Sequence, residues 1–519
     1  MKPKQPATPA IISQNRSVAA ALLAAATIVP ATAADYYWTG GSGDWDLGIY
    51  NGTVVSGTGG STNPNSGAYY DTDGTWTSGT ANWQNSARDT SYYWVNPVNT
   101  SITSTTGPTG PWMPSSEIRG AAIFDVAGGG LVKVADATAV RSAGIFTGSI
   151  NFKTNGYELY SDAPGGARME TSFGSGILID PGVTAKIGSG ISVWLGGSHR
   201  VSGGGTLNVT GSIATLAGNP LRIANDTTVN LQTGGTLGAL SNQLYVGSDG
   251  AGTLNIDGGT VVIGNSSQNR SLILATGTST YGVVSMNSGA INITNTGTSH
   301  LQLGDAQTAA TKATFSLNGG TVSTPYINSG NGTGVNSTFN FNGGTIRSLR
   351  DTATFMEGLD NAYVQAGGAV FDTNNRSITV GQALLHDSAL GSTRDGGLTK
   401  NNTGTLSLLG INSYTGDTVI NGGTLSIDNA YLFDLGNVRI NGAESIFDLD
   451  FIGTDTIAAL YFDGVAADLG TWGAPSSGAD HESEFLTGSG FLNVTAIPEP
   501  PTAWLLVGLA GCMSFRRRR

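Results

Sequence analysis

A corner containing glycine recurs through the middle of the chain and restricts what this sequence can fold into. Short apolar runs lead up to each corner, and Gly259, Gly289, Gly320 and Gly344 follow one another at spacings of 30, 31 and 24 residues. A period of roughly 20 to 50 residues is typical of repeat architectures, in which each unit packs only against its neighbours. The spacing therefore predicts a solenoid of stacked units.

Residues within one unit alternate in the manner of a β-strand. Leu254 and Ile256 alternate with Thr253 and Asn255. Because successive side chains of a strand point to opposite faces, we expect the apolar pair inside and the polar pair outside. Glycine at the corner permits the positive φ that a sharp turn needs. A right-handed parallel β-helix, in which stacked units bury one continuous core, is the simplest geometry that fits.

The composition excludes several classes of protein. The net charge is −12 and the sequence pI is about 4.7, which argues against nucleic acid as a partner because phosphate binding needs a basic surface. The 78 glycines follow no strict Gly-X-Y period, so a collagen is excluded. The single cysteine, Cys512, excludes a disulfide scaffold and a Cys-based zinc site.

The first 34 residues have the three parts of a secretory signal peptide. A basic segment without acidic residues precedes an apolar run at 18–29, and Pro30 ends that run. Small residues follow, so we expect signal peptidase to cleave after Ala33 or Ala34. A retained membrane anchor is the alternative, but 12 residues are too few to span a hydrocarbon core of about 30 Å.

The last 23 residues consist of three parts, which are the tripeptide Pro498-Glu499-Pro500, an apolar run at 502–515 and the arginines Arg516, Arg517, Arg518 and Arg519. The two prolines prevent a helix around Glu499 and keep the tripeptide extended. As a helix the apolar run would be about 21 Å long, which is short for a membrane span unless the arginines snorkel. The arginines should remain cytoplasmic. A simple C-terminal membrane anchor is one interpretation.

The order of these three parts resembles the PEP-CTERM sorting signal of Gram-negative bacteria. The resemblance implies that Pro498, Glu499 and Pro500 are recognised by an exosortase-type processing enzyme. It further implies that the protein is exported to the cell surface or released, with transient or permanent inner-membrane anchoring through residues 502–515. Both this interpretation and the simple anchor place the tail at the membrane.

The segment 398–427 carries the most specific pattern in the chain. It contains GTLSL at 404–408, NSYTGDT at 412–418 and GTL at 423–425. This pattern resembles the autotransporter-associated β-strand repeat, also called the passenger-associated transport repeat. The resemblance implies an exported β-helical passenger. The other repeats of the chain resemble the family pattern more loosely.

Six of the nine tryptophans lie in the loop-rich segment that precedes the repeats, at Trp38, Trp45, Trp76, Trp83, Trp94 and Trp112. Stacking on sugars is one interpretation of these side chains. We favour a capping region that closes the open end of the solenoid, because an open end must be covered to stay soluble. Short sequence motifs in this segment also resemble the start of passenger-type proteins.

These observations together predict an all-β fold, a right-handed parallel β-helix with an N-terminal capping region and a short C-terminal hydrophobic helix. The predicted divisions are a signal peptide at 1–34, a capping region at 35–127, Gly-rich solenoid repeats at 128–445 that are clearest at 244–348, terminal coils and a cap at 446–495, and the sorting signal at 497–519.

Residues suited to catalysis or metal binding are scattered. Asp249, Asp257 and Asp305 lie in or beside turns and recur at no common register, and the glycine-rich stretch 247–252 is interpreted as a plain turn rather than a calcium site. The histidines lack metal-ligand spacing and are interpreted as surface or turn residues, at His199, His300, His386 and His481. We therefore expect no catalytic, cofactor or metal site.

The polar residues of the repeats have a structural interpretation. Asn208, Asn255 and Asn340, with neighbouring threonines, are placed to form side-chain ladders between coils. The favoured function is a structural or adhesive protein of the cell surface or extracellular matrix, with an extracellular polysaccharide as a candidate ligand. The alternative is a polysaccharide-degrading or polysaccharide-binding β-helix protein, which fold analogy alone does not establish.

Overall fold

A computed structural model describes residues 121–496 with short gaps, together with the backbone of six strands between residues 36 and 92. The gaps fall at 126, 135–144, 163, 197–198, 216–219, 240–241, 265–269, 278–279, 295–296, 306–310 and 331–335. The predicted signal peptide, sorting tripeptide, hydrophobic helix and arginine cluster lie outside the described residues.

The described chain winds into a parallel β-solenoid of about 12 turns. Three strands make up most turns, and each pairs in parallel with the strands one turn before and one turn after it. One turn advances the chain by 31 residues where Val283 pairs with Thr314, and by 20 where Leu398 pairs with Thr418. The predicted all-β parallel solenoid is confirmed, whereas its right hand stays a prediction.

Strands that lie above one another form three faces of the solenoid. The first face contains Gly130–Val134, Tyr157–Tyr160, Thr184–Ile187, Thr206–Val209, Thr227–Gln232, the first halves of Ala251–Ile263 and Tyr281–Ile293, Lys312–Leu317, Asn336–Phe341, Asn361–Val364 and Leu385–His386.

The second face contains the first halves of Ile145–Phe152 and Ala167–Ile179, then Ile191–Leu195, Ser212–Thr215, Thr236–Ala239, the second halves of Ala251–Ile263 and Tyr281–Ile293, Thr321–Thr324, Thr345–Ser348, Ala369–Asp372, Leu398–Asn401, Thr418–Asn421, Asn437–Ile440 and Ala459–Phe462.

The third face contains Ala121–Phe124, the second halves of Ile145–Phe152 and Ala167–Ile179, then Arg200–Ser202, Leu221–Ala224, Leu244–Ser248, Leu272–Thr276, Leu301–Leu303, Ile327–Ser329, Thr352–Glu357, Ile378–Val380, Thr405–Leu408, Gly423–Ile427, Ser445–Leu449 and Leu486–Gly488. A single 3-10 turn, Ser388–Leu390, interrupts the strands of the described chain.

The interior of the solenoid is a continuous apolar stack. Leu254 and Ile256 are fully buried, and Thr253 and Asn255, which alternate with them, face outward, as the alternation predicts. Further along, aromatic rings occupy the same inward column, and the Phe315 and Phe339 rings stack with centroids 5.1 Å apart. Each such buried side chain contributes about 1.5–3 kcal/mol, so the stack supplies the main stabilisation.

The corner glycines serve two different purposes. Gly289 has a φ of 93°, as predicted for a sharp turn. At Gly259 the prediction is wrong, because the positive φ of 102° belongs to the preceding Gly258. Gly259 is required instead by close packing, since a Cβ there would lie 2.4 Å from the Cγ of Leu231 in the turn below.

The backbone preceding the described coils adds strands to two faces. Tyr36–Trp38 pairs in parallel with Ala121–Phe124, and Gly43–Trp45 pairs in parallel with Gly130–Val134. Trp83–Gln84 then pairs antiparallel with the first of these strands. Two more short strands, Leu47–Tyr50 and Thr53–Ser56, form a hairpin, and Ser91–Tyr92 pairs with Trp83–Gln84. Capping by residues 35–127 stays a prediction.

Antiparallel pairing interrupts the parallel stack at its C-terminal end. Val465–Ala466 runs antiparallel to the last strand of the second face. A separate sheet joins Thr454–Ile457, Phe491–Val494, Gly470–Gly473 and His481–Glu482, with the middle two strands antiparallel. In the part of the chain that the structure describes, no helix has the length and apolar character to cross a membrane.

Candidate binding surface

Outward side chains of the first face form three parallel rows, which together we call the polar face. The threonine row is Thr206, Thr228, Thr253, Val283, Thr314 and Thr338. The central row is Asn208, Asn230, Asn255, Ser285, Ser316 and Asn340. The corner row is Asp257, Asn287, Asn318 and Asn342. Successive members of a row are about 4.8 Å apart.

Hydrogen bonds connect the central row from turn to turn at both of its ends, and the described residues show none from Asn255 through Ser285 to Ser316. The Nδ2 of Asn230 donates to the Oδ1 of Asn208, and the Nδ2 of Asn255 donates to the Oδ1 of Asn230, each at 2.9 Å. Asn340 donates to the hydroxyl of Ser316 at 3.1 Å. The predicted side-chain ladder is therefore confirmed for Asn208, Asn255 and Asn340, whereas the neighbouring threonines take no part in it among the described residues.

The corner row forms a second ladder that the sequence analysis did not identify. Asn287 donates to the carboxylate of Asp257 at 2.7 Å, Asn318 donates to Asn287 at 2.9 Å, and Asn342 donates to Asn318 at 3.1 Å. A carboxylate starts the ladder because it only accepts hydrogen bonds, and each following amide both donates and accepts. The recurring Asn before the corner glycine was the available signal.

A third ladder lies where the second face meets the third near the C-terminal end. Asn421 donates to Asn401 and Asn441 donates to Asn421, both at 2.9 Å. The same residue type thus links successive turns at different corners of the described solenoid.

The threonine row has hydroxyl groups available for an external partner. Within the described part of the chain, no side-chain hydrogen bond engages the hydroxyls of Thr206, Thr228, Thr253, Thr314 and Thr338. Val283 interrupts the row and is 37% exposed, and Tyr281 beside it on the same strand is 46% exposed. The polar face thus presents free hydroxyls next to one exposed apolar site.

A buried carboxylate at the end of the first face forms a hydrogen-bond network that sequence reasoning missed. The side chain of Asp395 is fully buried and accepts from the Nδ1 of His386 at 2.8 Å. It also accepts from the backbone amides of Gly397, Thr415 and Gly416 at 2.7–2.9 Å. The hydrogen bond that His386 donates to Asp395 raises the pKa of His386. His386 is therefore a structural partner, not an isolated residue.

A lysine occupies an inward position in the core. Lys400 is fully buried and lies between Phe371 and Ile420 of the adjacent turns. Its Nζ donates to the carbonyl oxygens of Asn402 at 2.7 Å and Gly422 at 2.6 Å. Burial lowers the pKa of Lys400 to about 8. Lys400 follows the buried Leu398 by two positions on the same strand, and the period of two therefore predicts a buried side chain.

The pattern at 412–418 replaces a strand of the first face. Tyr414 is buried inside the solenoid, and its hydroxyl lies 2.8 Å from the Oγ1 of Thr418. Asn412 accepts a hydrogen bond from the backbone of Leu384 in the preceding turn at 2.7 Å. Burial raises the pKa of Tyr414, so the phenol stays protonated and serves packing.

The other histidines have separate local contacts. His300 stacks on Tyr326 and His481 stacks on Trp472, with ring centroids 4.7 Å apart in both pairs. His199 is buried with a positive φ of 53°, so the expectation of a surface position is wrong for this residue, although its turn conformation fits. Among the described residues, no group of three His, Cys, Asp or Glu is placed to hold a metal ion.

The predicted acidic turn residues also have protein partners. Asp249 has a positive φ of 57° and pairs with Arg200 at 2.8 Å. Asp305 accepts from the side chain of Gln302 at 3.1 Å. Both carboxylates thus have a partner within the protein, as expected for structural residues in or beside turns. The predicted processing residues Ala33, Ala34, Pro498, Glu499 and Pro500 lie outside the described residues, as do the four arginines.

Comparison with known proteins identifies one segment of the solenoid. Residues 398–427 match the family model of the passenger-associated transport repeat, which confirms the repeat predicted there. The chain is also similar to the adhesin BmaC autotransporter of Brucella suis biovar 1 (strain 1330), with 28% identity over 273 residues. That similarity covers 48% of this chain and 8% of the length of the adhesin. No solved structure matches the chain.

Proposed function

We propose that this protein is a passenger-type β-solenoid exposed at the bacterial cell surface, with a structural and adhesive role. The observation that carries the proposal is the position of the matched repeat within one continuous stack. Strands of the repeat pair with Ala369–Asp372 in the turn before and with Asn437–Ile440 in the turn after. The passenger repeat thus supplies strands to two successive coils of the solenoid rather than forming an insertion.

The likeness to an adhesin supports the adhesive part of this proposal. A rigid solenoid with a repetitive polar surface is suited to contacts along its length, because each turn offers the same groups at the same spacing. The passenger repeat and this likeness favour a structural protein over a polysaccharide-degrading enzyme. Release of new sugar ends from a purified glycan would support the enzyme alternative.

We further propose that the two ends direct the protein to the surface. Signal peptidase would remove residues 1–34, and an exosortase-type enzyme would process the tail at Pro498-Glu499-Pro500. The apolar run at 502–515 would contact the inner membrane before processing. The order of the three parts in the tail supports this route, and the flanking prolines would keep the tripeptide extended.

Protease accessibility on intact cells tests the surface assignment. Proteinase added to whole cells should degrade the full-length protein while a periplasmic marker stays intact. Cells that lack the protein should also attach less to one another or to a solid support, and attachment should return with the wild-type gene. Complete protection from proteinase until the outer membrane is opened would contradict the assignment.

A further inference from the structure

The polar face is nearly uncharged although the protein as a whole is acidic. Asp257 is the one ionisable residue in the three rows, and its carboxylate is engaged by Asn287. The net charge of the chain is −12. A partner that approaches this face therefore meets hydroxyl and amide groups locally, while the acidic protein around it disfavours a polyanion.

The hydrogen-bonding groups of the face are only partly used by the protein. Asn230 donates one amide hydrogen to Asn208, and its side-chain oxygen accepts one hydrogen bond from Asn255. A side-chain amide has two donor hydrogens and two acceptor lone pairs, so one of each remains. Because the ladder also fixes the orientation of these amides, a ligand would bind without ordering them first.

An exposed aromatic residue adds a contact of a different kind. Tyr281 lies at the margin of the face, next to Val283 and between Ala251 and Lys312 of the adjacent turns. An aromatic ring offers a flat apolar surface beside a polar hydroxyl. The C–H face of a sugar ring packs on such a surface, while sugar hydroxyls both donate and accept hydrogen bonds.

We propose that the polar face binds an extended, uncharged polysaccharide, an inference that rests on the surface role proposed above. The chain of sugars lies along the solenoid axis, where each sugar is about as long as one turn is high. Hydroxyls of the threonine row and free amide groups of the central row bond the sugars, and Tyr281 stacks on one ring. Repetition over six turns lets weak contacts add up.

Binding to named polymers tests this assignment with the full-length exported protein. The probes are microcrystalline cellulose and chitin in pull-down assays and hydroxyethyl cellulose in affinity electrophoresis, with alginate as the polyanion. The test variant combines Thr228→Val, Thr253→Val, Thr314→Val and Thr338→Val. Valine keeps the shape and β-propensity of threonine, so only the hydroxyls are removed. We expect binding to at least one uncharged polymer to weaken by about tenfold or more.

The second face supplies a matched control on the same four turns. The control variant combines Thr236→Val, Thr260→Val, Thr321→Val and Thr345→Val, whose side chains also point outward. It should bind within about twofold of wild type. Tyr281→Ala alone should also weaken binding, and thermal unfolding should show that all variants remain folded.

Two results would overturn the assignment. One is wild-type protein that binds none of the three uncharged polymers, and the other is equal loss of binding in the two valine variants. The surface role is measured separately by protease accessibility. A protein that is exposed on cells but fails to bind sugars would disprove this inference alone, whereas a protein hidden inside the cell would disprove the surface role.

Discussion

Lys400 donates a hydrogen bond from its Nζ to the carbonyl oxygen of Gly422, 2.6 Å away in the next turn. The ammonium thus ties two turns together inside an apolar stack. Burial lowers the pKa of Lys400 to about 8, and the nearby Asp372 opposes that effect only in part. Because burial of the ammonium costs solvation free energy, the contribution of Lys400 to stability depends on pH.

Removal of the Lys400 charge should change how stability depends on pH. An unfolded lysine has a pKa of about 10.4, so the unfolded state binds more protons than the folded state between pH 8 and that value. The free energy of unfolding of wild type, relative to Lys400→Met, should rise across this window by up to about 3 kcal/mol. Urea unfolding at a series of pH values measures the difference, and a constant difference would contradict the prediction.

His386 should show the opposite dependence. The hydrogen bond that its ring donates to Asp395 raises the pKa of His386, so the folded state binds the proton more tightly than the unfolded state. The contribution is fully present below an unfolded pKa of about 6.5, and it is lost as the pH rises through the folded value. The stability difference between wild type and His386→Gln should shrink as the pH is raised. His481→Gln, on a different element, is the control, and a difference that grows with pH would disprove the prediction.

Asn230 should stabilise the stack through its two ladder bonds. We expect Asn230→Ala to lower the free energy of unfolding by about 1–2 kcal/mol, because bonds to Asn208 and Asn255 are lost together. Thr228→Val on the same strand removes a hydroxyl that has no described side-chain partner and should change stability by less than about 0.5 kcal/mol. Chemical denaturation compares the two, and equal effects would mean that the ladder contributes nothing.

The close approach at Gly289 gives a test that separates strain from collision. Gly289 has a φ of 93°, and a Cβ there would lie 2.2 Å from the carbonyl oxygen of Gly259. Gly182 has a φ of 76° with open space around it. Gly182→Ala should cost about 1–2 kcal/mol from the backbone alone, and Gly289→Ala clearly more. Thermal unfolding of both variants measures this order, and the reverse order would refute it.

Local alternation made much of the fold predictable from the sequence. Leu254 and Ile256 could be placed inside because a strand has a period of two, whatever its partners are. The Asn ladder followed from the same logic, since residues at one register recur every turn. The network around Asp395 could not be predicted, because its partners are 9 and 20 residues away in segments without alternation. Turn lengths, which vary from 20 residues between Leu398 and Thr418 to 39 between Phe447 and Leu486, also hide which residues lie above one another.

The C-terminal tripeptide should determine whether the tail is removed. We expect a variant with Pro498→Ala, Glu499→Ala and Pro500→Ala to keep its tail. The three changes remove both the extended backbone and the carboxylate that the resemblance assigns to recognition. Intact mass of the wild-type protein from the cell surface and medium should show loss of the apolar run at 502–515, and the variant should keep it. An adjacent control, Thr495→Ala, should be processed normally. A tail retained by wild type as well would leave the apolar run as a plain membrane anchor and disprove sorting at this motif, whereas the solenoid and its polar face would be unaffected.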